Sequence, residues 1–192
     1  MPKVVPEYKK MAKLKIIQAA YKVFSKNGYH PSKMDEIARE VGVSKATLYS
    51  YFESKEDLLK MISISTSQRL NEIFQESLEG QDSLEPFEEL YNKMEEFQGS
   101  LHLNFEILSL SSHDKNIREI GRNIYDGKID VFQVFLQNLQ KKGMIRDDVD
   151  ARTLARLVAA LYTDIAMQLV TGFDKSEVRD TWNESLSAIL EK

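Results

Sequence analysis

Apolar side chains recur at i, i+3 and i+4 through almost the whole chain. That is the period of a helix, whereas a half-buried strand would alternate every second residue. No stretch shows β-branched alternation, and four prolines in 192 residues leave long runs uninterrupted. The chain is therefore expected to be all-α, with one or two domains at the usual ~100–200 residues each. Neither an internal repeat nor a low-complexity tract is visible. Charged residues make up 29% and hydrophobic ones 42%, the composition of a globular chain rather than a disordered one. Cysteine is absent, which excludes a disulfide scaffold, a thiol nucleophile and a cysteine zinc site. No apolar run follows the N-terminal lysines, so no secretory signal is read. The most apolar long stretch, 154–170, is broken by Arg156 and Asp164 and falls short of the roughly 20 residues of a membrane span. A soluble, cytoplasmic protein without a membrane partner is expected.

Local stop and start signals divide the chain into about nine helices. Residues 1–7, with Pro2 and Pro6, are expected to be loose, and a first helix spans 8–26 with Ile16, Ile17, Ala20, Val23 and Phe24 as its buried stripe. Asn27-Gly28 ends it. Ser32 with Asp35 fits a capping box for a helix over 33–41. Gly42 turns the chain, Ser44 caps a helix over 45–51, and Ser54 with Asp57 opens a long helix over 55–78. Breaks at 80–83 and at Gly99-Ser100 bound helices over 84–97 and 101–110. Asp114 caps a segment running to Lys142, with Ile117, Ile120, Ile124, Val131, Phe135 and Leu139 on one stripe. Asp150 caps a helix to Val170, Gly172 ends it, and Asp174 with Glu177 caps the last helix, through Leu190.

Charge is divided unevenly. Residues 1–60 carry 12 Lys+Arg against 7 Asp+Glu, a balance of +5, while the remainder carries 14 against 23, a balance of −9. A basic head on an acidic body suits a nucleic-acid module joined to something else, although an uneven surface alone would give the same count. Within the head, KMDEIAREVGVSKATLYSYF (33–52) reads as two short capped helices joined by a glycine turn, the helix-turn-helix layout. Ala38 is small where the helices cross, and Gly42 supplies a conformation that a Cβ opposes. Ile37, Val41, Val43 and Leu48 are spaced to fill the interior. The other face of the second helix, with Lys45, Ala46, Thr47, Tyr49 and Ser50, is left for a DNA major groove, which admits one helix. Lys45 could reach a phosphate or a guanine edge. Ala46 and the Thr47 methyl could touch thymine methyls, and Tyr49 and Tyr51 could donate to phosphates. Lys55, in the first turn of the next helix, could hold a phosphate together with backbone N–H groups. The same helix pair also occurs as a plain packing unit.

Residues 12–60 resemble the DNA-binding domain of the TetR/AcrR family of transcriptional regulators. The resemblance rests on IIQAAYKVF (16–24), Gly28-Tyr29, Asp35-Glu36-Ile37-Ala38 and Val41-Gly42-Val43-Ser44-Lys45. Thr47-Leu48-Tyr49, Tyr51-Phe52, Ser54-Lys55 and Leu58 complete it. It implies a homodimer in which each subunit presents one helix-turn-helix to a double-stranded DNA operator, above a ligand-binding and dimerisation bundle. The implied division is 1–54 for the DNA-binding domain and 55–192 for the ligand-binding domain. By position in the pattern, Ser32 and Lys33 would face phosphate. Ser44, Lys45, Ala46, Thr47, Tyr49, Ser50 and Tyr51 would lie on the recognition helix, and Lys55 on a phosphate. Ala46 stands where the family often has Gly, and Lys33 where it often has a small hydroxyl. Lys3, Lys9, Lys10, Lys13 and Lys15 could form an arm on the DNA backbone or in a minor groove, or a solvated face.

In the body, the helix over 151–170 is apolar on most sides: Leu154, Leu157, Val158, Leu161, Ile165 and Leu169 form one stripe, with Ala155, Ala159, Ala160, Ala166 and Val170 beside it. Such a helix needs cover on most sides. It pairs naturally with Val178, Trp182, Ser185, Leu186 and Ile189 of the last helix. Two such helices from each of two subunits would make a four-helix homodimer interface, and a central helix buried in a monomer is the alternative. The middle helices are rich in large side chains, a pattern that is core more often than pocket. The family resemblance implies that they enclose a cavity for a small, lipophilic effector. The residues expected to line it are Phe87, Tyr91, Met94, Phe97, Leu101, Phe105, Leu108, Ile120, Ile124, Tyr125, Tyr162 and Ile165. Asn104, Glu106, Tyr125, Asp164 and Gln168 are candidate polar contacts. His102 and Glu106 have a spacing that can bind metal, but two surface polar residues give it equally, so no metal or cofactor is expected. No Ser-His-Asp, P-loop or GxGxxG pattern points to an enzyme. The expected function is a ligand-released repressor. An activator, or a helical sensor or carrier whose helix-turn-helix is structural, stands as the alternative.

Overall fold

A computed structural model describes residues 6–80, 84–96 and 98–191. Among these residues the chain forms nine α-helices and no strand. In chain order they are α1 (Pro6–Asn27), α2 (Met34–Val41), α3 (Lys45–Tyr49), α4 (Lys55–Gly80), α5 (Glu85–Glu96), α6 (Gln98–Leu110), α7 (Lys115–Lys141), α8 (Ala151–Thr171) and α9 (Lys175–Leu190). Two starts are earlier than expected. α1 begins at Pro6, because proline tolerates a first helical position whose N–H has no partner. α6 begins at Gln98, so Gly99-Ser100 lie inside its first turn rather than in a break. The expected breaks at 81–83 and at Phe97 lie outside the described residues.

Most caps sit where local chemistry places them. The Ser44 hydroxyl accepts from the Thr47 amide at 3.0 Å, and Ser54 accepts from Asp57 at 3.1 Å. Asp114, Asp150 and Asp174 each accept from two amides two and three residues on. The exception is the start of α2. There the cap is Lys33, whose amide donates to the Glu36 carboxylate at 2.9 Å, while the Ser32 hydroxyl turns inward and donates to the Gly28 carbonyl at 2.5 Å.

The chain divides into two compact units, residues 1–65 with 102–121 and residues 66–101 with 122–192. The division falls within α4, α6 and α7 rather than at the expected 54/55 boundary. In the first unit α1 packs on α2 and α2 on α3 around Ile16, Ile17, Ala20, Val23, Phe24, Ile37, Ala38 and Leu48. Val41 and Val43, expected in this core, are only half-buried. In the second unit Phe74, Phe87, Phe132 and Phe135 form a four-ring cluster with centroids 5.0–5.8 Å apart, mostly edge to face. Such geometry sets ring edges against ring faces and adds to the area buried. α8 packs on α9, with Leu154, Val158, Ile165 and Leu169 buried together with Val178, Trp182 and Leu186. Leu157, expected in the α8 stripe, is exposed. The 21 residues of α8 are long and apolar enough to cross a membrane on length and composition, which corrects the expectation that this stretch is too short. Nine of its residues are buried within the protein.

Candidate nucleic-acid interface and effector region

The second helix of the helix-turn-helix, α3, is built to show one face. Gly42 sits at φ +79°, the left-handed region that a side chain opposes, and its amide donates to the Ala38 carbonyl at 3.0 Å. Leu48 is fully buried, which fixes the rotation of α3, and Lys45, Ala46, Thr47, Tyr49 and Ser50 are all exposed on the remaining surface. Three of the expected contacts, Ser44, Thr47 and Ser50, are engaged with one another. The Ser44 hydroxyl shares a 2.8 Å bond with Thr47 Oγ1, and Ser50 Oγ donates to the Thr47 carbonyl at 2.7 Å. Lys45 Nζ lies 2.8 Å from Asp35 of α2, and the Asp35 carboxylate holds the ammonium above its ordinary value. Both partners are exposed, so the pair is weak and can open toward a phosphate. Lys33 is exposed, and Tyr51 is half-buried. On α1, Lys9, Lys10, Lys13 and Lys15 are exposed. Lys3 lies outside the described residues.

Two expected phosphate contacts are placed otherwise. Ser32 is buried, its hydroxyl spent on Gly28. Lys55 is half-buried, and its ammonium donates to the carbonyls of His30 at 2.8 Å, Tyr29 at 3.1 Å and Ser32 at 3.4 Å. It also lies 4.6 Å from the centre of the Tyr29 ring. The lysine therefore clamps the turn between α1 and α2 from the carbonyl side.

The same turn is clamped from its amide side by Glu106, expected from the sequence as a polar ligand contact or a partner of His102. Both oxygens of Glu106, on α6, accept 2.7 Å hydrogen bonds, one from the Tyr29 amide and one from the His30 amide. Gly28, at φ +85°, leaves room for this, because a Cβ there would come within 3.2 Å of the carboxylate. The buried Tyr29 hydroxyl donates to Glu56 at 3.0 Å, and burial first, then the Glu56 charge, push it well above the ordinary tyrosine range. No local signal announces these contacts, since Glu106 and Tyr29 are 77 positions apart.

Of the described residues expected to line an effector cavity, Phe105, Leu108 and Ile120 belong to the first unit and the others to the second. Leu108 and Tyr125 are exposed. Phe105, Ile124 and Tyr162 are half-buried. Phe87 is packed inside the four-ring cluster. Tyr91 is buried against Trp182, covered by Arg179 at 4.4 Å, and donates to the Lys175 carbonyl at 3.3 Å. Met94, Leu101 and Ile165 are buried. Phe97 lies outside the described residues. Of the candidate polar contacts, Asp164 is exposed and accepts from Gln168 at 2.6 Å. A residue absent from these expectations stands out in the second unit: Lys128, one turn of α7 from both Ile124 and Phe132, has its ammonium 3.8 Å from the centre of the Tyr162 ring. A charged residue interrupting an apolar stripe is a signal the sequence does carry.

A short recognition helix with an exposed polar face, fixed by a glycine turn and followed by a helical body, defines a helix-turn-helix DNA-binding regulator. Residues 16–62 match the family model described as bacterial regulatory proteins, tetR family. The chain is 27% identical over 148 residues to the HTH-type transcriptional regulator UidR of Escherichia coli K12, covering 77% of this chain and 76% of that protein. Its fold matches that of Salmonella enterica GusR with a TM-score of 0.77 at 25% identity, over 97% of this chain and 98% of that one. Thermus thermophilus FadR, a TetR-family repressor solved with lauroyl-CoA, matches with a TM-score of 0.68 at 21% identity over 92% of each chain. The chain is thus similar to TetR-family transcriptional regulators, with the family model matching its residues 16–62.

Proposed function

We propose that the protein is a cytoplasmic, ligand-released repressor that binds a palindromic operator as a homodimer. The observation that carries this reading is the exposed face of α3, with Lys45, Ala46, Thr47 and Tyr49 presented over a fully buried Leu48. A single five-residue helix reads only a few base pairs, so two symmetry-related copies give the reader its site length and make their spacing the controllable variable. α8 supports a second copy. Leu157, Ala160, Met167 and Val170 are exposed at spacings of three, seven and three, an apolar strip crossed midway by Asp164, with Phe173 just beyond the helix. An effector in the body acts by binding one conformer of the dimer better than the other, and shifts the equilibrium only by that difference. Glu106 supplies a means of transmission, because it ties α6 directly to the turn that enters α2. FadR offers a parallel, since that repressor was solved with an acyl thioester bound.

The test is fluorescence anisotropy against the DNA upstream of the protein's own gene, with sedimentation in parallel. A dimer that binds with steep salt dependence, and a Tyr49→Ala variant weakened roughly tenfold or more, are expected. A monomer indifferent to this DNA at low salt would sink the reading.

A further inference from the structure

Lys128 lies on α7 between Ile124, one turn before it, and the fully buried Phe132, one turn after, next to the buried Ile129. Among the described residues no hydrogen bond and no ion pair reaches its ammonium; its contact is the face of Tyr162, on α8, 3.8 Å away. Other cations are met by carboxylates or carbonyls: Arg152 by Asp130, Arg179 by Glu95, Arg118 by the Ser111 and Ser112 carbonyls. An ammonium withdrawn from water without an anion is unfavourable, and an aromatic face compensates only part of that. Burial accordingly lowers its proton affinity, to a pKa of about 8. A half-buried charge without an anion, set against an aromatic face, is a candidate binding group.

We propose that Lys128 is the anchor for an acidic effector: the second unit binds an organic carboxylate whose negative charge sits against the Lys128 ammonium, beside the Tyr162 ring. The inference rests on the ligand-released reading above and names the chemical class of the ligand. Lysine is a compact point charge on a flexible stem, so it accepts a carboxylate from many directions. The buried aromatic and aliphatic side chains around this part of α7 suit an apolar remainder on the same molecule. A cationic effector is excluded, because a second positive charge near an unmatched ammonium is repelled.

The experiment uses the full-length protein on its operator and compares acids with their own alcohols: octanoate and dodecanoate against octan-1-ol and dodecan-1-ol. Each response is expressed relative to the same variant's operator affinity without ligand. In the wild type at least one acid is expected to weaken operator binding roughly tenfold, with its alcohol changing it less than about twofold. Lys128→Met is expected to lose the preference for acid, and Lys128→Arg, which keeps the charge, to retain part of it. The Arg variant serves should the Met variant fail to fold. Reductive ¹³C-methylation supplies a direct readout, since the Lys128 resonance should move on adding the acid and stay on adding the alcohol. Equal response to acid and alcohol, response to no acid in the set, or an acid preference that survives in Lys128→Met would overturn the proposal. Failure of the wild type to bind operator at all would instead sink the repressor reading.

Discussion

Lys55 and Lys128 are both half-buried lysines, one in each compact unit, and they meet opposite conditions. Lys55 is surrounded by three backbone carbonyls and a tyrosine face, and its turn is closed on the other side by Glu106. Lys128 has a tyrosine face and, among the described residues, no acceptor. The difference separates two uses of a cation withdrawn from water. Where acceptors converge on it, the cation organises backbone; where they do not, the free protein carries a charge that waits for a counter-ion. The carbonyl clamp also gives Lys55 a structural role beside the phosphate contact expected from the sequence pattern.

The largest effect on folding stability is expected from Lys128→Met. At neutral pH the unmatched ammonium opposes folding, so the variant should be more stable than the wild type by roughly 3 kcal/mol, from a pKa lowered from 10.5 to about 8. The sign follows from proton uptake. Below pH 8 both folded and unfolded chains hold the proton, and the full penalty applies. Between pH 8 and 10.5 the folded form releases it first, so wild-type stability gains on the variant. The gap between the two should close as pH rises through that window, in urea unfolding curves measured side by side. A Lys128→Met variant less stable than the wild type at pH 7 would make Lys128 a structural residue like Lys55.

Lys55→Met should act the other way. It strips a charged donor from the carbonyls of Tyr29, His30 and Ser32 and is expected to lower stability by about 2 kcal/mol. Operator binding should weaken because the turn before α2 loosens, but the dependence of affinity on salt should not change. A phosphate-binding lysine predicts instead that the salt slope falls by about one. A series of anisotropy titrations across ionic strength decides between them.

The contrast explains what was legible in the sequence. Caps and turns act over two to four residues, so Ser44, Ser54, Asp114, Asp150, Asp174 and Gly42 could be read directly, and with them the nine helices and the exposed face of α3. Partners far apart in the chain could not. Nothing near Glu106 indicates that it will hold the amides of residues 29 and 30, and nothing near Ser32 that its hydroxyl will turn to Gly28 rather than cap α2. The stripe of α7 shows the same division. Ile117, Ile120, Phe135 and Leu139 are buried as the local period indicates, with Ile124 and Val131 half-buried, while Ile129, Phe132 and Leu136 join the buried face. Tyr125, one position on from Ile124, is exposed.

Glu106→Gln sharpens the picture of the Lys55 turn. The amide oxygen can still accept from one backbone N–H, but the second bond and the negative charge are lost. A decrease of about 1 kcal/mol is expected in thermal or urea unfolding, smaller than for Lys55→Met. Equal stability of variant and wild type would show that the turn is held by Lys55 alone.

Lys45→Ala is expected to have the smallest effect on folding and isolates the third kind of lysine in the molecule. Its ammonium is solvated and paired with an equally exposed Asp35, so the melting temperature should not move. Its operator affinity should fall at every sequence tested, and the salt slope should drop by about one, because each phosphate contact releases condensed counterions from the duplex. If affinity falls only for operators carrying guanine at one position, with the slope unchanged, Lys45 reads a base edge rather than the backbone. If Lys45→Ala shifts the melting temperature as Lys55→Met does, then the pair with Asp35 is a structural clamp between α2 and α3. The distinction between a lysine that builds the reader and one that does the reading would then fail at this position.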